Sequence, residues 1–173
     1  TVQKGDSLVK FDQSDLEDAY ADAKDNLSDT TTSANAEVTN AKKQLSNAQT
    51  TYSDSKTSSA AEVKKTKASL QTLKKTIRSL KDKIKAAKDA ARKTALQQEL
   101  SQAQEQLTQA QEKYEQAVSN QTSGNRQNQS SVDSAKTAVE QAETNRTKQI
   151  KEAQKQVKEA KENLDNCAVT APV

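Results

Sequence analysis

The sequence has few of the residues on which enzyme sites and compact cores depend. It contains no His, Trp or Met, one Cys, two Gly, one Pro, three Tyr and one Phe. Because Cys167 stands alone and histidine is absent, neither an internal disulfide nor a Cys/His metal site is expected. There is also no glycine-rich phosphate loop, so we expect no enzyme. No run of eighteen apolar residues and no signal-peptide pattern occurs, so any membrane anchor is expected outside this segment.

The chain consists mainly of Ala, Lys, Gln, Glu, Ser and Thr, a composition typical of disorder or of extended helices. Apolar residues recurring at steps of three and four favour helices that share a two-helix seam. The clearest runs are Leu70, Leu73, Ile77, Leu80, Ile84 and Ala87, and then Leu96, Leu100, Ala103, Leu107, Ala110, Tyr114 and Ala117. The pattern predicts an all-α protein, a long antiparallel two-helix coiled-coil hairpin.

One antiparallel register accounts for both halves of the chain. It places Ile84 beside Leu96, Leu80 beside Leu100, and Leu73 beside Leu107, and it continues to Leu45 with Ala135 and Leu27 with Ala153. The alternative is a single unbroken helix through the middle of the chain, which would have nothing on which to bury its apolar stripe.

The charge pattern also favours an antiparallel arrangement. Residues 12–29 are acidic, and the register places them opposite Lys148, Lys151, Lys155, Lys158 and Lys161. The basic residues 64–83 would face Glu99, Glu105, Glu112 and Glu115. Exposed pairs contribute only about 0–1 kcal/mol each, so this pattern selects orientation more than it adds stability.

Capping patterns set the expected helix limits. Ser14 and Glu17 form a capping-box pattern that starts the first helix, and Thr94 with Gln97 forms another that starts the second. The hairpin is therefore expected over residues 13–166, with its turn near 88–94. Ser/Thr-rich residues 30–33 and 50–59 are poor helix formers, where we expect bending or weak order. Residues 120–131 contain Gly124 and no apolar residue, so helix interruption and continuous helix both remain open there.

The two ends of the chain read as short strands. Leu8–Phe11 follows a Lys-Gly-Asp turn signal, and Cys167–Val173 is rich in β-branched residues and contains the single proline. The register brings these ends together. We therefore expect two strand stubs, residues 1–12 and 167–173, that belong to one larger β-domain.

The combination of ends and hairpin resembles the membrane fusion proteins, or periplasmic adaptors, of the MacA and HlyD type. In that family an α-hairpin is inserted into a split lipoyl-like domain. Gly5-Asp6 resembles the first half-motif, and Ala171-Pro172 lies in the segment that resembles the second. Sequence-specific similarity is confined to about twenty residues at the ends, because coiled-coil arms resemble one another generically.

The resemblance implies a non-enzymatic adaptor of an ABC-type efflux or export system on the extracytoplasmic face of the membrane. Its hairpins would form part of a conduit in a ring, expected to be a hexamer, and the transporter would bind domains outside this segment. No prosthetic group is implied, since the insertion replaces the turn that carries the modified lysine in true lipoyl domains. A structural coiled-coil stalk or filament on the cell surface is the alternative function.

The turn end is the expected partner surface, through Lys88, Arg92, Lys93 and Leu96. Gram-negative relatives carry an Arg, Leu, Ser pattern there that docks onto a TolC-type duct. Arg92 and Leu96 match its first spacing, but Ala103 occupies the serine position. The mismatch and the Lys-rich, Arg-poor composition favour a Gram-positive adaptor whose basic tip faces the cell wall. The tip partner itself stays open: an anionic cell-wall polymer, an outer duct or an acidic protein surface, or no partner, the basic end being simply solvated. Nucleic acid is not expected, because the basic segment has no aromatic residues for base stacking.

Overall fold

The computed structural model describes residues 7–10 and 13–170, and within them the chain forms two long helices between two short strands. The elements are β1 (Ser7–Lys10), α1 (Ser14–Ala86), α2 (Ala90–Asp165) and β2 (Ala168–Thr170). The helices pack against each other, as the heptad pattern predicts. The chain divides into a terminal unit, Thr1–Ser46 with Ser134–Val173, and a turn unit, Asn47–Asp133.

In the turn unit, leucine and isoleucine side chains from both helices form a core along the seam. Ile77, Leu80 and Ala103 are 6–8% exposed, and half-buried Leu96, Leu100 and Leu107 pack against them. Leu80 and Leu100 thus lie in one cluster, in agreement with the predicted register. Burying a leucine or isoleucine contributes roughly 1.5–3 kcal/mol, so this core holds the two helices together.

In the terminal unit the seam is built from smaller side chains. Ala34 is 1% exposed, and Val38, Ala41, Val139 and Ala153 are also buried. Alanine buries little area, but it allows close approach of the two helices. Polar contacts also cross this seam. The amide of Asn26 donates to Gln156 Oε1 at 3.0 Å, and the Lys42 ammonium lies 2.7 Å from a Glu143 carboxylate oxygen.

The two strands pair with each other within the terminal unit. β1 and β2 are antiparallel, with Val9 opposite Val169 and Lys10 opposite Ala168, and the register is irregular between Ser7 and Val9. The chain therefore leaves the helices close to where it enters them. The larger β-domain to which such strands could belong stays a prediction.

The Ser/Thr-rich stretches and residues 120–131 all lie within continuous α-helix. The open question of an interruption is thus answered in favour of helix. Hydroxyl groups donate to the carbonyl four residues back, as at Thr57 to Ser53 (2.9 Å) and Thr122 to Val118 (2.9 Å). These side chains therefore satisfy their polar groups without breaking the backbone ladder.

Among the described residues, the oppositely charged segments of the two helices make no ion pair with each other, although Glu99 shares a groove with Lys75 and Lys83 as the pattern predicts. Lys155, Lys158 and Lys161 each pair with the carboxylate four residues later on α2, at 3.4–3.5 Å, rather than with the acidic start of α1. The basic part of α1 likewise makes no ion pair with Glu105 or Glu112 in the described residues. Both glutamates stand two residues after a seam position, Ala103 or Ala110, and so point away from α1.

Candidate functional site

The turn that joins the helices consists of Ala87, Lys88 and Asp89. The Ala87 amide still donates to the Lys83 carbonyl at 3.0 Å, so α1 keeps its hydrogen bonding to its last turn. Asp89 then caps α2, because its Oδ1 accepts from the Ala91 amide at 2.9 Å and its carbonyl accepts from the Lys93 amide at 3.0 Å. Aspartate is among the best N-cap residues, and its charge is favourable at this end of the helix.

The predicted second capping box, at Thr94, is wrong. Thr94 lies inside α2, and its hydroxyl donates to the Ala90 carbonyl at 3.1 Å. The helix starts earlier because Asp89 supplies a cap and the residues after it, Ala90 to Lys93, are strong helix formers. The turn accordingly spans residues 87–89 rather than 88–94. Sequence reasoning missed Asp89, although an aspartate followed by two alanines was the available signal.

Three of the four residues predicted to contact a partner surround one shallow depression at the turn. Lys88, Arg92 and Leu96 line it, together with Lys83, Ala86, Ala87 and Asp89. Lys93, the fourth, is exposed on α2 and does not line the depression. Leu96 also packs against the Ile77 and Leu80 cluster, which makes it a core residue as well as part of this surface.

The lining of the depression is partly apolar and partly cationic. Two alanines and Leu96 are its apolar residues, Lys83, Lys88 and Arg92 are its cations, and its one carboxylate, Asp89, is engaged in capping. Such a surface suits an acidic or anionic partner that also presents a small apolar group. The depression is shallow and open to solvent.

The described residues contain no cluster of three or more His, Cys, Asp or Glu side chains that could hold a metal ion. None of the helices in the described part of the chain is both long and apolar enough to cross a membrane. Cys167 is half-buried after the end of α2 and has a free thiol. The predicted half-motif residues Gly5, Asp6, Ala171 and Pro172 lie outside the described residues.

Comparison with known proteins leaves the chain without an assigned relative: no family model, no curated protein and no solved structure matches it.

Proposed function

We propose that this chain is the hairpin segment of a non-enzymatic adaptor, a membrane fusion protein, that serves an ABC-type export system outside the cytoplasmic membrane. In this function the protein carries out no chemistry. Its helices reach from the transporter towards a second partner, and several hairpins side by side enclose a conduit. The transporter binds domains outside this segment.

The observation that carries the proposal is the pairing of the two ends. β1 and β2 lie antiparallel, with Lys10 opposite Ala168, immediately before and after the helices. A hairpin inserted into a β-domain requires its first and last residues to be neighbours in this way. A free-standing stalk has no such requirement, so the strand pair favours the adaptor over the stalk.

A second supporting feature is the surface around the turn. Lys88 lies in the turn and Arg92 in the first turn of α2; both are exposed, and both line the same depression. In an adaptor this end meets the second partner, which we propose to be an anionic cell-wall polymer or an outer duct.

The decisive experiment is purification of the native protein from its own cell envelope under mild detergent. We expect an ABC transporter to co-purify in constant ratio, and the adaptor to be present as a ring of about six copies. A tagged membrane protein of the same envelope serves as the control. Recovery as filaments or single chains, without a transporter, would favour the surface stalk instead.

The function of the hairpin is tested separately from assembly. Replacing residues 47–133 with a short Gly/Ser loop should leave transporter binding intact, because that binding uses other domains. The same replacement should abolish export by the system. Export that continues unchanged would show that the turn unit is dispensable and would contradict its assignment to the conduit.

A further inference from the structure

Within the turn unit, α1 carries a cationic stripe formed by Lys67, Lys74, Arg78, Lys81 and Lys85. These residues are separated by seven, four, three and four positions, so they lie on one side of the helix. At 1.5 Å per residue the stripe is about 27 Å long. All five side chains are exposed. Between residues 64 and 86 the helix has one acidic residue, Asp82.

The stripe is not neutralised by the protein itself. Among the described residues, none of its five cations has a carboxylate oxygen within 4.0 Å. Lys155, Lys158 and Lys161 on α2 differ in this respect, because each pairs with an acid on its own helix. No close ion pair therefore offsets the charge of the stripe; the nearest acid in sequence is Asp82, which lines the same shallow depression as Arg78.

Grooves between the two helices on one flank of the turn unit show that the stripe lies on the other flank. Ser69, Thr72, Thr76, Ser79 and Lys83 of α1 share these shallow grooves with Glu99, Gln102, Gln106, Gln109 and Lys113 of α2. Lys67, Lys74 and Lys81 lie beside the seam on the flank that faces away from these grooves. The neighbouring positions of α2 at the same seven-residue spacing are Gln97, Gln104 and Gln111. Glutamine amides can hydrogen-bond an anion without cancelling the lysine charges.

We propose that the stripe binds a linear phosphodiester polymer lying lengthwise along this flank. A row of point charges fits an extended chain of phosphates better than it fits a compact anion, and lysine ammonium groups are good phosphate ligands. Nucleic acid is disfavoured as the occupant because the stripe contains no aromatic side chain on which a base could stack. This surface is separate from the depression at the turn, and the proposal does not depend on the export function.

The test compares two variants of the whole chain that lose the same charge. In the stripe variant, Lys67, Lys74, Arg78, Lys81 and Lys85 are changed to Gln. In the control variant, Lys148, Lys151, Lys155, Lys158 and Lys161 are changed to Gln. The probe is poly(glycerol phosphate). We expect the stripe variant to bind at least about tenfold more weakly, and the control variant to change by less than about threefold, because three of its lysines are already paired.

Two further measurements use the unmodified chain. With five phosphates neutralised, log affinity should fall against log salt with a slope of about −3.5. Bound polymer should also protect Lys67, Lys74, Lys81 and Lys85 from acetylation more strongly than Lys148 and Lys151. This footprint does not require any variant to fold.

Three results would overturn the proposal. Equal loss of affinity in the two variants would mean that only net charge matters. Equal protection of stripe and control lysines would mean that the polymer has no preferred flank. Single-stranded DNA of equal phosphate number that binds as tightly as poly(glycerol phosphate), or more tightly, would assign the stripe to nucleic acid.

Discussion

The turn unit contains two stretches of seam that differ in chemistry although the helices are continuous through both. The apolar seam is the cluster of Ile77, Leu80, Leu96, Leu100, Ala103 and Leu107. The polar seam is the set of half-buried polar positions Ser55, Ser59, Gln121, Asn125 and Asn128. The buried Oδ1 of Asn125 has no hydrogen-bond partner among the described residues. Leaving such an atom unsatisfied costs about 1–3 kcal/mol.

The comparison shows that a stretch of this chain can be helical without apolar residues at its seam positions. Residues of the polar seam are helical without an apolar seam beside them, and side chains near them bond within the helix, as in the 2.8 Å contact from the Gln116 amide to Asn120 Oδ1. They add little hydrophobic energy to the pairing of the two helices. The apolar seam therefore fixes the register of this unit, and the polar seam follows it.

Truncating the apolar seam should have the largest effect. Leu80→Ala should lower the free energy of unfolding by about 2–4 kcal/mol, because it removes most of a side chain that is 7% exposed and leaves a gap in the cluster. Urea unfolding followed by circular dichroism measures the change. The neighbouring Ser79→Ala, at an exposed position, should change stability by less than about 0.5 kcal/mol. Equal effects of the two would contradict the assigned core.

Making the polar seam apolar should have the opposite sign. Asn125→Leu should raise the unfolding free energy by about 1–2 kcal/mol, because it removes the unsatisfied oxygen and adds buried hydrocarbon. Gln127→Leu, two residues away at an exposed position, is the matched control and should be nearly neutral. Hydrogen exchange of amides 120–130 should slow in the Asn125 variant alone. A destabilised Asn125→Leu protein would mean that the asparagine satisfies its oxygen in solution.

Substitutions at Asp89 test whether the stability of the apolar seam depends on the helix cap in the adjacent turn. Asp89→Ala should cost about 1 kcal/mol of stability, because the Ala91 amide loses its acceptor. Asp89→Asn should recover most of the loss, since its side chain offers the same acceptor. Asp82→Ala, at an exposed site inside α1, is the charge-matched control in thermal unfolding. No difference between Asp89→Ala and Asp82→Ala would rule out capping.

Gly124 offers a smaller test at the polar seam. A Cβ built at this position meets nothing within 4 Å, so alanine fits without a clash. Gly124→Ala should stabilise the helix by about 0.5–1 kcal/mol, because glycine has the greater backbone freedom in the unfolded chain. Chemical denaturation of this variant beside Ser123→Ala measures the effect. A loss of stability would show that this part of the seam is packed more tightly than described.

The smallest effect is expected at the exposed ion pair of the terminal unit. A hydrogen bond from Lys42, and then its charge, lowers the pKa of Glu143 below the ordinary value of 4.5. A lowered folded-state pKa means that the carboxylate contributes stability above the unfolded-state pKa, and that this contribution is lost as the pH falls through the folded-state pKa. NMR titration should return the Glu143 pKa towards 4.5 in Lys42→Gln. An unchanged value would show that the pair does not form in solution.

Much of the fold could be predicted from the spacing of apolar residues. Leu80 and Leu100 were paired correctly because heptad positions repeat over many turns and reinforce one another. The turn was predicted too far along the chain because two capping signals compete there. The capping-box pattern at Thr94 was chosen over the N-cap residue Asp89. Ion pairs between the helices cannot be assigned by matching whole charged segments, because single residues within a segment differ in direction. Glu105, two residues after the seam position Ala103, points outward.

The candidate site was predictable only in part, for a related reason. Lys88 and Arg92 lie at the turn because the register brings them there. The sequence gives the spacing of the five cations of the stripe. The flank on which they lie follows from the structure, where Ser69 and Gln106 line a groove on the other flank. The five lysines of α2 used as the control differ, since three of them pair with an acid four residues later on the same helix.

Because Lys10 pairs with Ala168, the two helices can change in length together without altering the pairing of the strands. Removing or adding one heptad in each arm, at positions that face each other, would preserve the alternation of seam residues and leave the two strands adjacent. Reach could therefore be tuned by paired insertions and deletions while the β-structure at the ends stays unaltered.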